Sequence, residues 1–102
     1  MVLDTRYQME INMQDFVNGD LIESEQGFKT CDLYMAACFL AAGCKMATAE
    51  RDKKNGRVFF VFEKNPIIMD LRMTYFSREA KVPALTYADH IKSLKSLCHN
   101  IM

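Results

Sequence analysis

Lys45-Met46-Ala47-Thr48-Ala49-Glu50-Arg51-Asp52-Lys53-Lys54-Asn55-Gly56-Arg57-Val58-Phe59-Phe60-Val61-Phe62-Glu63 decides the fold. Both residues of Asn55-Gly56 tolerate the positive φ of a type I′ turn. The stretch therefore predicts a β-hairpin with strands over Lys45–Arg51 and Arg57–Glu63. The second strand is apolar at every position from Val58 to Phe62. Side chains alternate between the two faces of a strand, so both faces need cover, from the protein or from a partner. The first strand, Met46 to Glu50, is weaker and more edge-like. The connecting tip is basic, with Arg51, Lys53, Lys54 and Arg57.

Upstream, Thr30 to Ala42 predicts a helix, with Thr30 as N-cap, Asp32 in the first turn and Gly43 as the left-handed residue that ends it. Its body, Leu33 to Ala42, has no charged face and suits a central, buried helix or an interface. Downstream, Asn65-Pro66 opens a second helix with Asn65 as cap and Pro66 in the first position. Ile68, Leu71 and Tyr75, with Phe76 as a candidate fourth member, form its expected inward stripe, and Arg72 and Arg78 face elsewhere. Val82-Pro83 breaks the chain, because a residue before proline prefers extended geometry. A last helix enters at Pro83 or at a Thr86-x-x-Asp89 box. Leu85, Ala88, Ile91, Leu94 or Leu97, Cys98 and Ile101 give its apolar stripe, and Lys92, Lys95, Ser96 and His99 share one polar face.

The first 27 residues form an accessory arm. Tyr7, Met9, Ile11 and Met13 alternate as in a strand, whereas Phe16, Val17, Leu21 and Ile22 fit a short helix interrupted at Asn18-Gly19. The expected organisation is thus an arm over 1–27 and one α+β domain over 28–102. Its order is arm–α–β–β–α–α, with the antiparallel hairpin packed against about three helices.

The chain has 102 residues, 50% hydrophobic and 25% charged, which suits one globular domain and argues against disorder. The longest strongly apolar stretch, Leu33 to Ala42, is about half of a bilayer span. No basic segment followed by an apolar one opens the chain, so no export signal and no membrane partner are expected. Cys31, Cys38, Cys44 and Cys98 are accordingly expected as reduced thiols in a cytoplasm. Three of them act as small hydrophobes in or beside the apolar helix. Their spacing is no zinc-knuckle pattern, His90 stands alone, and Cys98 and His99 point apart on a helix. No metal and no cofactor is expected.

Net charge is zero but unevenly spread. Residues 1–50 carry three cations against eight acids, a net −5, and residues 51–102 carry ten cations against five acids, a net +5. Such asymmetry points to nucleic acid or an acidic partner for the basic half, or to an acidic segment folded onto a basic one. Neither a G-x-S-x-G elbow nor a phosphate-binding glycine loop occurs, and no carboxylate pair is set in apolar surroundings. An enzyme is therefore not expected. The candidate site is Arg51, Lys53, Lys54 and Arg57 of the tip, Arg72, Arg78 and Lys81 of the second helix and the loop after it, and Lys92 and Lys95 of the last helix. If these converge they hold phosphates, and Tyr75 or Tyr87 can stack on unpaired bases. The bland alternative is ordinary solvating charge.

Lys29-Thr30-x-Asp32-Leu33-Tyr34-x-Ala36-Ala37, Phe60-Val61-Phe62-Glu63, Tyr75-Phe76, Val82-Pro83-Ala84-Leu85-Thr86-Tyr87 and Leu94-Lys95-Ser96-Leu97 carry a family likeness. Over about three quarters of its length, from Phe28 onward, the chain resembles a family of small uncharacterised domains of bacteria, phages and mobile elements. The resemblance implies a genomic setting and a fold, with no assigned activity, and no functional residue is carried over from it.

The expected function is a small non-enzymatic accessory protein of a phage or mobile element. It would bind nucleic acid, single-stranded in one version, through the basic hairpin tip and the last helix. The alternative is a protein-interaction module, either a homodimer or an inhibitor or adaptor docking on a larger protein through the apolar strand and the arm.

Overall fold

The structure, a computed structural model, describes residues 21–25 and 27–101. The elements are β1 (Leu21–Ser24), β2 (Gly27–Thr30), α1 (Leu33–Ala41), β3 (Met46–Arg51), β4 (Val58–Phe62), α2 (Ile67–Ser77) and α3 (Ala84–Asn100). The strands form one antiparallel sheet in the order β1-β2-β4-β3. The α+β fold with a hairpin against three helices is as the sequence indicates. A second hairpin, β1–β2, extends the sheet and makes β4 an inner strand.

The β3–β4 hairpin closes on a longer loop than a two-residue turn. Asp52 N–H donates to the Arg57 carbonyl at 2.7 Å, and Gly56 N–H donates to the Asp52 carbonyl at 2.7 Å. Gly56 is left-handed at φ +75°, while Asn55 does not share its positive φ. Two side chains favour this geometry over a type I′ turn. Asp52 accepts from Lys54 N–H at 2.8 Å, and Asn55 accepts from Arg57 N–H at 2.9 Å. The register of β3 on β4 shifts between Met46 and Thr48, leaving Ala47 as the extra residue of a bulge.

Helix α1 begins later than expected. Thr30 belongs to β2, fully buried, and its hydroxyl accepts from Asp32 N–H at 3.0 Å. Asp32 takes over as N-cap, accepting from the Tyr34 and Met35 N–H groups at 3.0 and 3.1 Å. The other end is the one that Gly43 announces. Gly43 has φ +98°, its N–H bonds Leu40, and Cys44 N–H bonds Phe39, the pair of bonds that closes a Schellman motif. Asn65 caps α2 by accepting from Ile67 N–H at 3.1 Å, with Pro66 in helical geometry behind it. Helix α3 starts at Ala84, with Pro83 as its N-cap residue.

All three helices contribute to one core against one face of the sheet. Met35, Ala36, Ala37 and Phe39 of α1, Ile68 of α2 and Leu94 of α3 cluster with Phe60 and Phe62 of β4 and Leu21 of β1. The Phe39 and Phe62 rings meet edge to face, centroids 5.3 Å apart. Phe59 and Val61 alternate with these residues along β4 and lie outside that cluster, yet they are only 6% and 1% exposed.

Leu21 and Ile22 lie in β1 and not in a short helix, because β1 pairs Leu21 with Thr30 and Ile22 with Lys29. The two alternative elements over Tyr7–Met13 and at Phe16–Val17 fall outside the described residues.

Gly27 is the sheet's tightest backbone position. It has φ +146°, and a Cβ there would fall on the Phe62 carbonyl oxygen of β4. The β2–β4 pairing therefore depends on glycine at this place. Gly27→Ala is expected to lower stability by about 2–4 kcal/mol, through strain and a forced shift of β2. The shift in the urea midpoint measures it, and an unchanged midpoint would show that β2 is not held on β4.

Candidate nucleic-acid interface

Helix α2 ends in an unusual way. Arg78 is left-handed at φ 66°, alone among the described residues other than glycine. Its N–H bonds Tyr75, and the Glu79 and Ala80 N–H groups both bond the Thr74 carbonyl, at 2.8 and 3.1 Å. A position that glycine normally fills thus carries an arginine, at a cost of roughly 1 kcal/mol. The reversal turns residues 79–83 back toward α3. It leaves a cleft of about 480 Å³ lined by Tyr75, Arg78, Lys81, Val82 and Tyr87, with Cys38 of α1 also in its wall.

The tyrosines are fixed by bonds to α1. Tyr75 O–H donates to the second carboxylate oxygen of Asp32 at 2.9 Å, while the first caps α1. Tyr87 O–H donates to the Tyr34 carbonyl at 3.4 Å. Burial, then the hydrogen bond to Asp32, pushes the Tyr75 phenol well above its ordinary range, and burial raises Tyr87. Burial also raises the Cys38 thiol. The cleft therefore combines two neutral phenol rings with two cations.

On α3 the helical repeat sets Ala84, Ala88, Lys92, Lys95 and His99 along one face. Ala84 lines the cleft, so this face leads out of it toward the far end of the helix. Lys92 and Lys95 are both exposed. The Lys95 ammonium lies 6.0 Å from the centre of the half-exposed Tyr34 ring.

The hairpin cations stand at that far end. Arg51 donates to the carbonyls of Cys98 at 2.9 Å, Ile101 at 3.4 Å and Gly56 at 2.6 Å, fastening the end of α3 to the hairpin loop. Arg51 and Arg57 line a second cleft of about 510 Å³ with Cys31 and Cys98. One Arg57 nitrogen is 3.9 Å from the Cys31 sulfur. Burial raises the Cys98 thiol and the charge of Arg51 lowers it in part. Lys53 and Lys54 are exposed on the loop. Arg72 lies over the Phe76 ring on α2, 5.3 Å from its centre.

The nine cations therefore divide. Arg78 and Lys81 share the cleft at the start of α3, Lys92 and Lys95 line the helix beyond it, and the hairpin group stands about 20 Å along its axis. Arg72, half-buried on α2 against Phe76, is not among the residues that line either cleft. Tyr34 is the residue that sequence reasoning missed, because it lies within an apolar run. Its phenol, in the helix's first turn, was the available signal.

Residues 25–100 match a family model described as a domain of unknown function, DUF5659. The chain belongs to the DUF5659 family. The match opens between β1 and β2 and ends with α3, so both clefts lie inside the DUF5659 domain. No curated protein and no solved structure matches the chain. Among the described residues no His, Cys, Asp or Glu group of metal-binding size occurs, and no helix is long and apolar enough to cross a membrane.

The Tyr75–Asp32 bond gives an alkaline signature. The phenol is raised in the folded state, so folding favours its protonated form. Its contribution is complete below about pH 10, the value of an unfolded tyrosine, and is lost as pH rises toward the folded value. Tyr75→Phe is expected to cost about 1–2 kcal/mol at neutral pH. It should also shrink the loss of stability that sets in above about pH 10. Urea titrations across that range check both, and an identical alkaline slope in the variant refutes the assignment.

Proposed function

We propose that this DUF5659 chain is a non-enzymatic accessory protein of a phage or mobile element that binds single-stranded nucleic acid. The strand would start in the cleft between α2 and α3 and continue along the Lys92/Lys95 face. The observation that carries the reading is Arg78, held left-handed beside Lys81 with Tyr75 and Tyr87 in the same cleft. Single-strand binders pair backbone-tracking cations with aromatic faces on which bases stack, and a strand of about four nucleotides is the smallest such site. The Cys38, Cys44 and Cys98 thiols are raised by burial, so they stay protonated at neutral pH, which supports a non-catalytic role. The phage or mobile-element setting rests on the family likeness of the sequence.

A second reading, a protein-interaction module, has its own observation. Met69, Met73 and Phe76 recur at helical spacing on the exposed side of α2, and Leu85 at the start of α3 is 82% exposed. Contiguous exposed apolar residues of this kind mark protein-contact surfaces.

Fluorescence anisotropy with labelled single strands and a duplex, at low salt, tests the first reading. Arg78→Glu and Lys81→Glu should each weaken single-strand binding roughly tenfold. Each should also lower the salt slope by about 0.7 for every phosphate that is no longer neutralised. Arg78→Gly is the sharper variant: it should weaken binding while raising stability by about 1 kcal/mol, because glycine accepts the left-handed geometry. Lys53→Glu and Lys54→Glu should matter only for longer strands. Absence of binding at tens of micromolar protein, or binding indifferent to Arg78 and Lys81, overturns the proposal. Concentration-dependent sedimentation that Met73→Lys abolishes would favour the second reading.

A further inference from the structure

We propose that the cleft beside the hairpin at the end of α3 is a modification site, where a small anionic disulfide docks and exchanges onto Cys31. This cleft shares no lining residue with the one that holds Arg78 and Lys81. Its volume of about 510 Å³ is within the range of small-molecule sites. Leu33, Val58 and Phe60 supply apolar walls, Arg51 and Arg57 two cations, and Cys31 and Cys98 two thiols. None of the described residues that line it is acidic. This lining selects the class of ligand. Two guanidiniums repel a metal cation, so the two sulfurs are not set to share a soft metal ion. The same charges attract an anion. A simple anion would leave the thiols unused, and a neutral electrophile would leave the charges unused. A disulfide that carries carboxylates engages both.

Burial and charge single out Cys31 among the thiols. Cys38 and Cys44 are only 2% and 4% exposed, whereas Cys31 and Cys98 are partly open to solvent. Burial raises the Cys98 thiol, and the charge of Arg51 offsets this only in part. A raised thiol is largely protonated at neutral pH and attacks slowly. The Cys31 sulfur has an Arg57 nitrogen 3.9 Å away, so an approaching carboxylate meets a cation beside the sulfur that reacts. In the exchange, the Cys31 sulfur loses its proton to water and attacks one sulfur of the ligand. The ligand's S–S bond breaks, a new S–S bond joins Cys31 to one half, and the other half leaves as a thiolate. The protein sulfur is oxidised and the departing half is reduced, so the ligand is itself the oxidant. Because both thiols share one cleft, the first adduct closes it to a second.

Glutathione disulfide is the probe, with the full chain at neutral pH and mass spectrometry as the readout. One glutathione per chain is expected, mapped to Cys31 and released by dithiothreitol. Charge recognition is read at Cys31 by comparison with the uncharged hydroxyethyl disulfide. Relative to the same chain in urea, the folded chain should favour glutathione disulfide about tenfold at low salt. That preference should fade toward the value in urea at about 1 M salt, where charges are screened. Cys31→Ser should abolish the adduct, and Cys98→Ser should retain it. Absence of an adduct, addition at Cys98 in place of Cys31, or two adducts per chain overturns the proposal. Loss of two hydrogens with no glutathione retained overturns it too, by assigning the two thiols to an internal disulfide. A preference no greater than that in urea has the same effect. Should either variant fail to fold, the mapping and the salt series on the unaltered chain decide alone.

Discussion

Strand β4 hydrogen-bonds along both edges and carries an apolar side chain at every position, so it imposes two requirements at once. Its edges need β2 and β3, and its faces need two layers of cover. On the helix side Phe60 and Phe62 meet Met35, Phe39, Ile68 and Leu94. Burying a side chain of phenylalanine size is worth roughly 2–3 kcal/mol, so these two rings anchor the helix layer. Ala36 and Ala37 of α1 are fully buried, and their small side chains leave room for neighbours to pack closely.

From that layer the candidate site inherits its rigidity. Asp32 leaves β2 and caps α1 with one carboxylate oxygen, and the other receives the Tyr75 hydroxyl of α2. One side chain thus ties the start of the central helix to the wall of the cleft. Tyr87 makes the matching tie from α3 to Tyr34. Both rings are held at their polar ends and pack partly against the core, so what each offers to the cleft is the part of the ring that lines it. A base that stacks on a ring already held loses less conformational entropy on binding.

The sequence made legible whatever depends on local chemistry. Asn55-Gly56 marks the hairpin, Gly43 ends α1 and Asn65-Pro66 opens α2, because each is a short-range preference that the fold does not override. The β1–β2 hairpin was not legible. Both strands have only four residues, and Leu21 gains its burial from pairing with Thr30 and from a core assembled far along the chain. The same distant pairing took Thr30 out of the cap position and handed it to Asp32. At the site, the basic residues were visible by type. Their division was not, since it follows from the length of α3 and from the three carbonyls that engage Arg51 at its far end.

On the proposed reading, Arg78 separates stability from binding at this site. A left-handed helix end most often takes glycine, and asparagine second, because a Cβ is crowded there. Among the described residues no side-chain hydrogen bond or ion pair of Arg78 offsets the strain. The hydrogen bonds that close α2 are made by the backbone N–H groups of Arg78, Glu79 and Ala80, and a glycine would make them equally well. What the arginine alone adds is a guanidinium at the rim of a cleft that already holds Lys81 and two neutral phenols. Strain retained at one position without a structural return is a mark of functional positions. Here it coincides with a second cation and two aromatic rings in one cleft, the combination on which the proposed single-strand reading rests.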